Sequence, residues 1–180
     1  MKHLKLIINN IKNNESNFFN KHFDKNGNFA FKGKINNKII NEFMKDSYFK
    51  LPNPKSLDKE YFKKYYKKLK KLKNYDAICT ASIMTIEAII EGIKLSNKKI
   101  DKLILTGGGR KNIFIVKGLK RLLKTQKIKV IDIDKLNFNG DMLESQAFAY
   151  IAVRSLLKLP LSLPTTTGVK KPLTGGQLFK

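Results

Sequence analysis

A chain of 180 residues that is 42% hydrophobic, with twelve Phe and six Tyr, is long enough to bury a substantial core, which excludes a wholly disordered segment. No apolar run nears the ~20 residues a membrane-spanning helix needs, and the single cysteine, Cys79, excludes an internal disulfide framework or a multi-cysteine zinc site. The formal charge of +23 is almost all lysine, with arginine only at Arg110, Arg121 and Arg154; specific nucleic-acid readers lean on the planar fork of Arg, so a solvated lysine surface is expected here rather than a nucleic-acid partner.

In chain order, the opening MKHLKLIINNIKNNES carries neither a small-residue cleavage site nor a long apolar stretch, so no signal peptide is read and a cytoplasmic location is expected. Residues 1–75 are rich in Asn and Lys. Within them, Lys34–Lys45 places Ile35, Ile39, Ile40 and Phe43 at helical spacing. Two prolines then break the pattern, and Ser56 is a candidate N-cap for a Lys-rich helix over 58–73. Its stripe of Tyr61, Phe62, Tyr65, Tyr66 and Leu69 is expected to be core.

From residue 76 to 180 the texture becomes α/β. A helix is predicted over 81–96, with Ile83, Ile86, Ile90 and Ile93 inward. KLILT (102–106) and IKVIDI (128–133) read as short apolar strands buried on both faces. Helices are predicted over 112–124, with Ile113, Val116 and 119–123 inward, and over 140–158. Alternating helix and strand argues a parallel sheet with crossover helices. The tail from Leu159 is a Pro/Gly/Thr-rich loop region, in which Gly168, Gly175 and Gly176 are expected to shape turns.

Three glycines, Gly107, Gly108 and Gly109, stand where the first strand hands over to a helix. Ligands of open α/β sheets gather there, beside exposed backbone amides. The stretch TGGGRKN fits neither the dinucleotide fingerprint nor the Walker loop, so the turn alone leaves phosphate contact and a tight structural turn both open. Asn112 could touch a nucleotide or cap the following helix. Asp141 reads as an N-cap with Glu144 completing something like a capping box. Asp132 and Asp134 are expected in solvent rather than on a metal, and His3 and His22 have no companion ligands. Cys79 is expected to be a small buried residue, with Thr80 and Ser82 in capping or packing positions.

Several separated segments, in order, resemble the anhydro-N-acetylmuramic acid kinase family. LTGGGRKN is similar to its Gly-Gly-Gly-x-x-Asn turn. GDMLESQAFAYIAVRSLLKLPLSLPTTTGVKKPLTGG resembles its C-terminal signature, HFDKNGNFAFKGKI its Asp-x-Asn-Gly-x-x-Ala-x-x-Gly element, and PNPKSLDKEYF its Pro-Lys-Ser segment. The resemblance implies an actin, hexokinase and Hsp70-like ATPase lobe (ribonuclease H-like), mostly the C-terminal lobe. Residues 1–75 would form the end of the first lobe and a helical connection, and 76–180 the nucleotide-binding α/β lobe.

The resemblance further implies an ATP- and Mg2+-dependent enzyme. It would open 1,6-anhydro-N-acetylmuramic acid and phosphorylate it to N-acetylmuramic acid 6-phosphate in peptidoglycan recycling. Gly107, Gly108, Gly109 and Asn112 would face the nucleotide and Glu144 the sugar. The family's N-terminal phosphate loop and its Asp-x-Gly-Pro-Gly segment, which holds the general-base aspartate, have no counterpart here, so no catalytic residue and no metal ligand is assigned. An incomplete chain that is inactive alone is expected, with a homodimer or a complementing N-terminal lobe as partner; the alternative is an inactive remnant or nucleotide-binding interaction module. Exposed apolar surface, with self-association, is expected of such a chain.

Overall fold

The computed structural model describes residues 24–52, 55, 60–96 and 98–179. His3, His22, the N-terminal stretch, the Ser56 cap and the first residues of the Lys-rich helix lie outside the described residues.

The first described segment is shaped by one carboxylate. Asp24 accepts from the amides of Phe29 (2.9 Å) and Ala30 (3.4 Å), holding two 3-10 turns, Lys25–Gly27 and Ala30–Lys32. Asn26 and Gly27 take φ of 60° and 77°, a region Asn and Gly enter at little cost. Asn36 then caps α1 (Asn37–Met44) by accepting from the Ile39 amide at 3.1 Å. Ile39, Ile40 and Phe43 are buried as the spacing predicts, whereas Ile35 precedes the cap and is exposed.

Helix α2 (Lys63–Leu69) is shorter than expected, and its stripe is core only in part: Tyr65 and Leu69 are buried, Phe62 and Tyr66 pack half-buried against them, Tyr61 is exposed, and Phe43 meets Tyr65 edge-on at 5.2 Å. The phenols of Tyr61 and Tyr65 donate to Asp46 at 2.8 and 3.0 Å. The Tyr48 amide (3.0 Å) and the Lys64 ammonium (2.6 Å) complete the set around a carboxylate only 1% exposed. Burial pushes this acid up, yet Lys64, the amide and the two phenols outweigh it and bring its pKa down to about 2.

Helix α3 (Asn74–Lys94) starts well before the predicted 81–96, because Lys73 supplies no side-chain cap to mark the start. Residues 77–82 are buried all round the helix, and five of the six (Ala77, Cys79, Thr80, Ala81 and Ser82) are small enough to let neighbours close in. The Thr80 hydroxyl accepts from the Asn36 amide (3.0 Å), and the Ser82 hydroxyl donates to the Ile78 carbonyl (2.8 Å). Burial, with Asp76 nearby, pushes the Cys79 thiol upward and leaves it an inert packing group.

Strands β1 (Lys102–Leu105) and β2 (Lys129–Asp132) pair in parallel, Lys102 opposite Lys129 and Leu105 opposite Asp132. Between them runs α4 (Ile113–Lys124), which buries Ile115, Leu119 and Leu123 while Ile113 is exposed. Gly118 brings α4 so near α3 that an added Cβ would stand 2.5 Å from Ile86 Cδ1. One core joins Ile39, Phe43, Tyr65 and Leu69 to Met84, Ile86, Leu105, Ile115, Leu119 and Ile128. Among the described residues no helix is long and apolar enough to cross a membrane.

The sheet departs from expectation on its outer side. Leu105 faces the core, but Ile104 is 45% exposed, so β1 is not buried on both faces. The helix expected to help cover it, α5 (Leu143–Leu156), buries no residue at all, and Phe148 is 64% exposed. Its C-terminal end is fastened instead to the tail. Arg154 Nε donates to the Pro160 carbonyl (2.7 Å), and Ser155 Oγ to the Gly175 carbonyl (2.6 Å). The tail carries a short helical turn, α6 (Pro164–Thr167), and a Ser162–Leu173 antiparallel bridge.

Candidate functional site

The glycine turn lies between β1 and α4, at the C-terminal edge of the sheet. Gly107 has φ 68° and ψ −176°, a combination essentially confined to glycine. Its N–H donates to the Gly140 carbonyl at 3.0 Å, and its own carbonyl accepts from the Arg110 amide at 3.2 Å. Gly108 then opens a 3-10 turn, Gly108–Lys111. Among the described residues the Gly108 and Gly109 amides make no backbone hydrogen bond. A Cβ added at Gly107 or Gly108 would meet nothing within 4 Å, so the turn is open rather than packed shut.

Asn112 is the N-cap of α4, its Oδ1 accepting from the Ile115 amide at 3.1 Å. That oxygen is held by the cap, which leaves the Nδ2 donors as the freer end of the amide. Gly27 sits directly against it: a Cβ there would run into Asn112 Oδ1 and stand 3.0 Å from Phe114 Cβ. The Asp-x-Asn-Gly element and the end of the glycine turn, far apart in sequence, thus meet in space.

Behind the turn lies Arg110, its side chain 3% exposed. Nε and Nη2 donate to Asp134 Oδ2 (3.1 and 2.8 Å), and Nη1 donates to Asp141 Oδ1 (2.6 Å) and to the Gly107 carbonyl (3.0 Å). Asp132 Oδ1 lies 3.3 Å from Nε. Asp132 and Asp134 keep side chains 37% and 48% exposed, as the solvated reading expects, and both also pair with this guanidinium. Asp141 is a correction. The N-cap of α5 is Met142, and the amides of Asp141 and Met142 donate to Asn139 Oδ1 (3.1 and 3.2 Å), which frees the Asp141 carboxylate for Arg110 and for Lys111 (2.6 Å). No capping box forms with Glu144, which stands exposed in the first turn of α5.

The charges reinforce one another. Asp141, then Asp134, hold Arg110 protonated far above its ordinary range, against the opposing pull of burial. Asp141 is drawn well below the usual carboxylate range by Arg110 and Lys111, and Asp134 is lowered by the Gly140 amide and by Arg110. Among the described residues no group of three or more His, Cys, Asp or Glu is placed to hold a metal ion.

The structure therefore places Gly107–Gly109 and Asn112 in one turn and links it to the helix of Glu144 through Arg110–Asp141 and Gly107–Gly140. Arg110 escapes a reading by spacing. The available signal was an arginine beside the glycines in a lysine-dominated chain, with acidic residues at the end of the next strand.

An α/β chain whose first strand hands over to a helix through an open glycine turn has the local form of a phosphate-binding protein. The family model for anhydro-N-acetylmuramic acid kinase matches residues 9–180. The chain is 33% identical over 156 residues to the anhydro-N-acetylmuramic acid kinase of Roseobacter denitrificans, covering 87% of this chain and 41% of that protein. It is 35% identical over 158 residues to the one from Phenylobacterium zucineum, covering 88% of this chain and 42% of that protein. It is 36% identical over 153 residues to that of a Ruegeria species, covering 85% and 40% respectively. This chain belongs to the anhydro-N-acetylmuramic acid kinase family. It spans about two fifths of the length of the curated relatives it matches.

Proposed function

We propose that this chain supplies the nucleotide-facing part of a cytoplasmic, ATP-dependent kinase that converts 1,6-anhydro-N-acetylmuramic acid to N-acetylmuramic acid 6-phosphate in peptidoglycan recycling. In that reaction water adds to the anomeric carbon as the anhydro C–O bond breaks, and the released O6 takes the γ-phosphoryl group of ATP. The open glycine turn carries the reading. Its role is to donate the Gly108 and Gly109 amides to phosphate oxygens, which stabilises charge that grows during transfer.

Arg110 does not grip phosphate in this scheme, because four of its five N–H donors are already engaged by carboxylates and a carbonyl. Glu144 is the sugar-facing group, carried on the first turn of α5. No residue of the chain is assigned as the base that takes the proton from water. Mg2+ accompanies ATP as its counter-ion. The carboxylates nearest the turn are engaged by Arg110 and do not fit a metal site, so no step is drawn through the ion.

Isothermal titration of the chain with ATP, followed by a sugar phosphorylation assay with and without an added N-terminal lobe from a curated relative, tests this. Saturable ATP binding by the chain, with turnover only when the lobe is supplied, is expected. No ATP binding at millimolar concentration would refute it.

A further inference from the structure

Arg110 has no part in the reaction proposed above, yet it holds the Gly107 carbonyl twice and three carboxylates besides. We propose that Arg110 is a positioning residue that aims the Gly108 amide at phosphate and ties the turn to the start of the Glu144 helix; this rests on the turn being the nucleotide site. The carbonyl of Gly107 and the N–H of Gly108 belong to one planar peptide unit and point in opposite directions. Two donors from Arg110, its own amide at 3.2 Å and Nη1 at 3.0 Å, hold that carbonyl. Fixing it on one side fixes the Gly108 N–H on the other, where a Cβ at Gly108 would find open space.

The hold is closed into a ring. Arg110 binds Asp134, Asp134 Oδ1 accepts from the Gly140 amide at 2.7 Å, and the Gly140 carbonyl accepts from the Gly107 amide at 3.0 Å. Gly140 has to lack a side chain: a Cβ would stand 2.6 Å from Arg110 Nε and 2.7 Å from Ile133 Cγ2. From the same guanidinium, Nη1 reaches Asp141, three residues before Glu144. The planar fork serves Asp134 along one edge while Nη1 serves Gly107 and Asp141. A lysine ammonium offers its donors from a single point and cannot span these partners.

The experiment compares dissociation constants for ATP and for adenosine, which lacks phosphate, in the wild-type chain, Arg110→Lys, Asp141→Asn and Asp46→Asn. In Arg110→Lys the preference for ATP over adenosine falls about tenfold or more while adenosine binding holds, the scale of one charge-strength hydrogen bond to phosphate. Asp141→Asn shows a smaller fall in the same direction. Asp46→Asn lowers stability from outside the site and leaves the preference alone, which separates positioning from general loosening of the fold. A retained preference in Arg110→Lys, or in Asp141→Asn if the first variant does not fold, overturns this inference while the site reading stands. A wild-type chain that binds no ATP overturns both.

Discussion

Gly107 and Gly108 are adjacent and chemically identical, yet the geometry assigns them opposite consequences when a side chain is added. Gly107 sits at φ 68° and ψ −176°, where an L-residue is strained by about 1–3 kcal/mol. Gly108 has no such restriction and has free space where its Cβ would go. There, replacing Gly by Ala removes unfolded-state freedom and stabilises by ~0.4–1 kcal/mol. The unfolded-state gain is common to both variants, so urea unfolding should separate Gly107→Ala from Gly108→Ala by the strain alone, about 1–3 kcal/mol. Nucleotide titration should reverse the order of concern. Gly108→Val keeps the fold but sets a branched side chain in the approach to the amides, and ATP affinity should drop roughly tenfold or more, the weight of one lost charge-assisted hydrogen bond. Equal unfolding free energies for the two alanine variants would refute the backbone argument, and wild-type ATP affinity in Gly108→Val would remove the turn from the nucleotide site.

Gly27→Ala should destabilise by ~2 kcal/mol or more, since it combines an unfavourable positive φ with displacement of the Asn112 cap; an unchanged denaturation midpoint would show that the two elements do not press on each other. The Asp46 pKa of about 2, against an ordinary 3.8, means that this carboxylate contributes stability above the unfolded-state value and loses it as pH falls through the folded one. The contribution is about 2 kcal/mol, at 1.36 kcal/mol per unit, and it disappears between about pH 4 and pH 2. Asp46→Asn should be less stable at pH 7 and show a flatter pH dependence in that window, measured by denaturant unfolding at a series of pH values.

The strands and α4 were legible in the sequence because their signals are local. KLIL and KVID are short apolar runs, NIFIVKGLKRLLK carries its own cap and period, and the structure places both strands and the helix within a residue or two. The order of the quoted motifs was likewise enough to indicate the family. The start of α3 was not legible, because the N-cap position is Lys73, whose side chain makes no capping hydrogen bond that would announce it. The Asp141–Glu144 capping box was a sound local reading that lost to a competitor: Asn139 takes the amides and Arg110 takes the carboxylate. Arg110 itself was invisible as a hub, since its three acidic partners lie on later segments and only the fold brings them together. The helix over 140–158 was read from its sequence without any sign that it would bury no residue.

Helix α5 buries no residue, and both of its ends are tethered: the guanidinium of Arg110 grips Asp141 just before the first turn, and Arg154 and Ser155 bond the tail near the last. With so little of the helix embedded in the core, these tethers weigh heavily in where it lies. The stretch from Pro160 to Gly175, which carries no proposed chemistry of its own, thereby acts as a strut for the helix that bears Glu144.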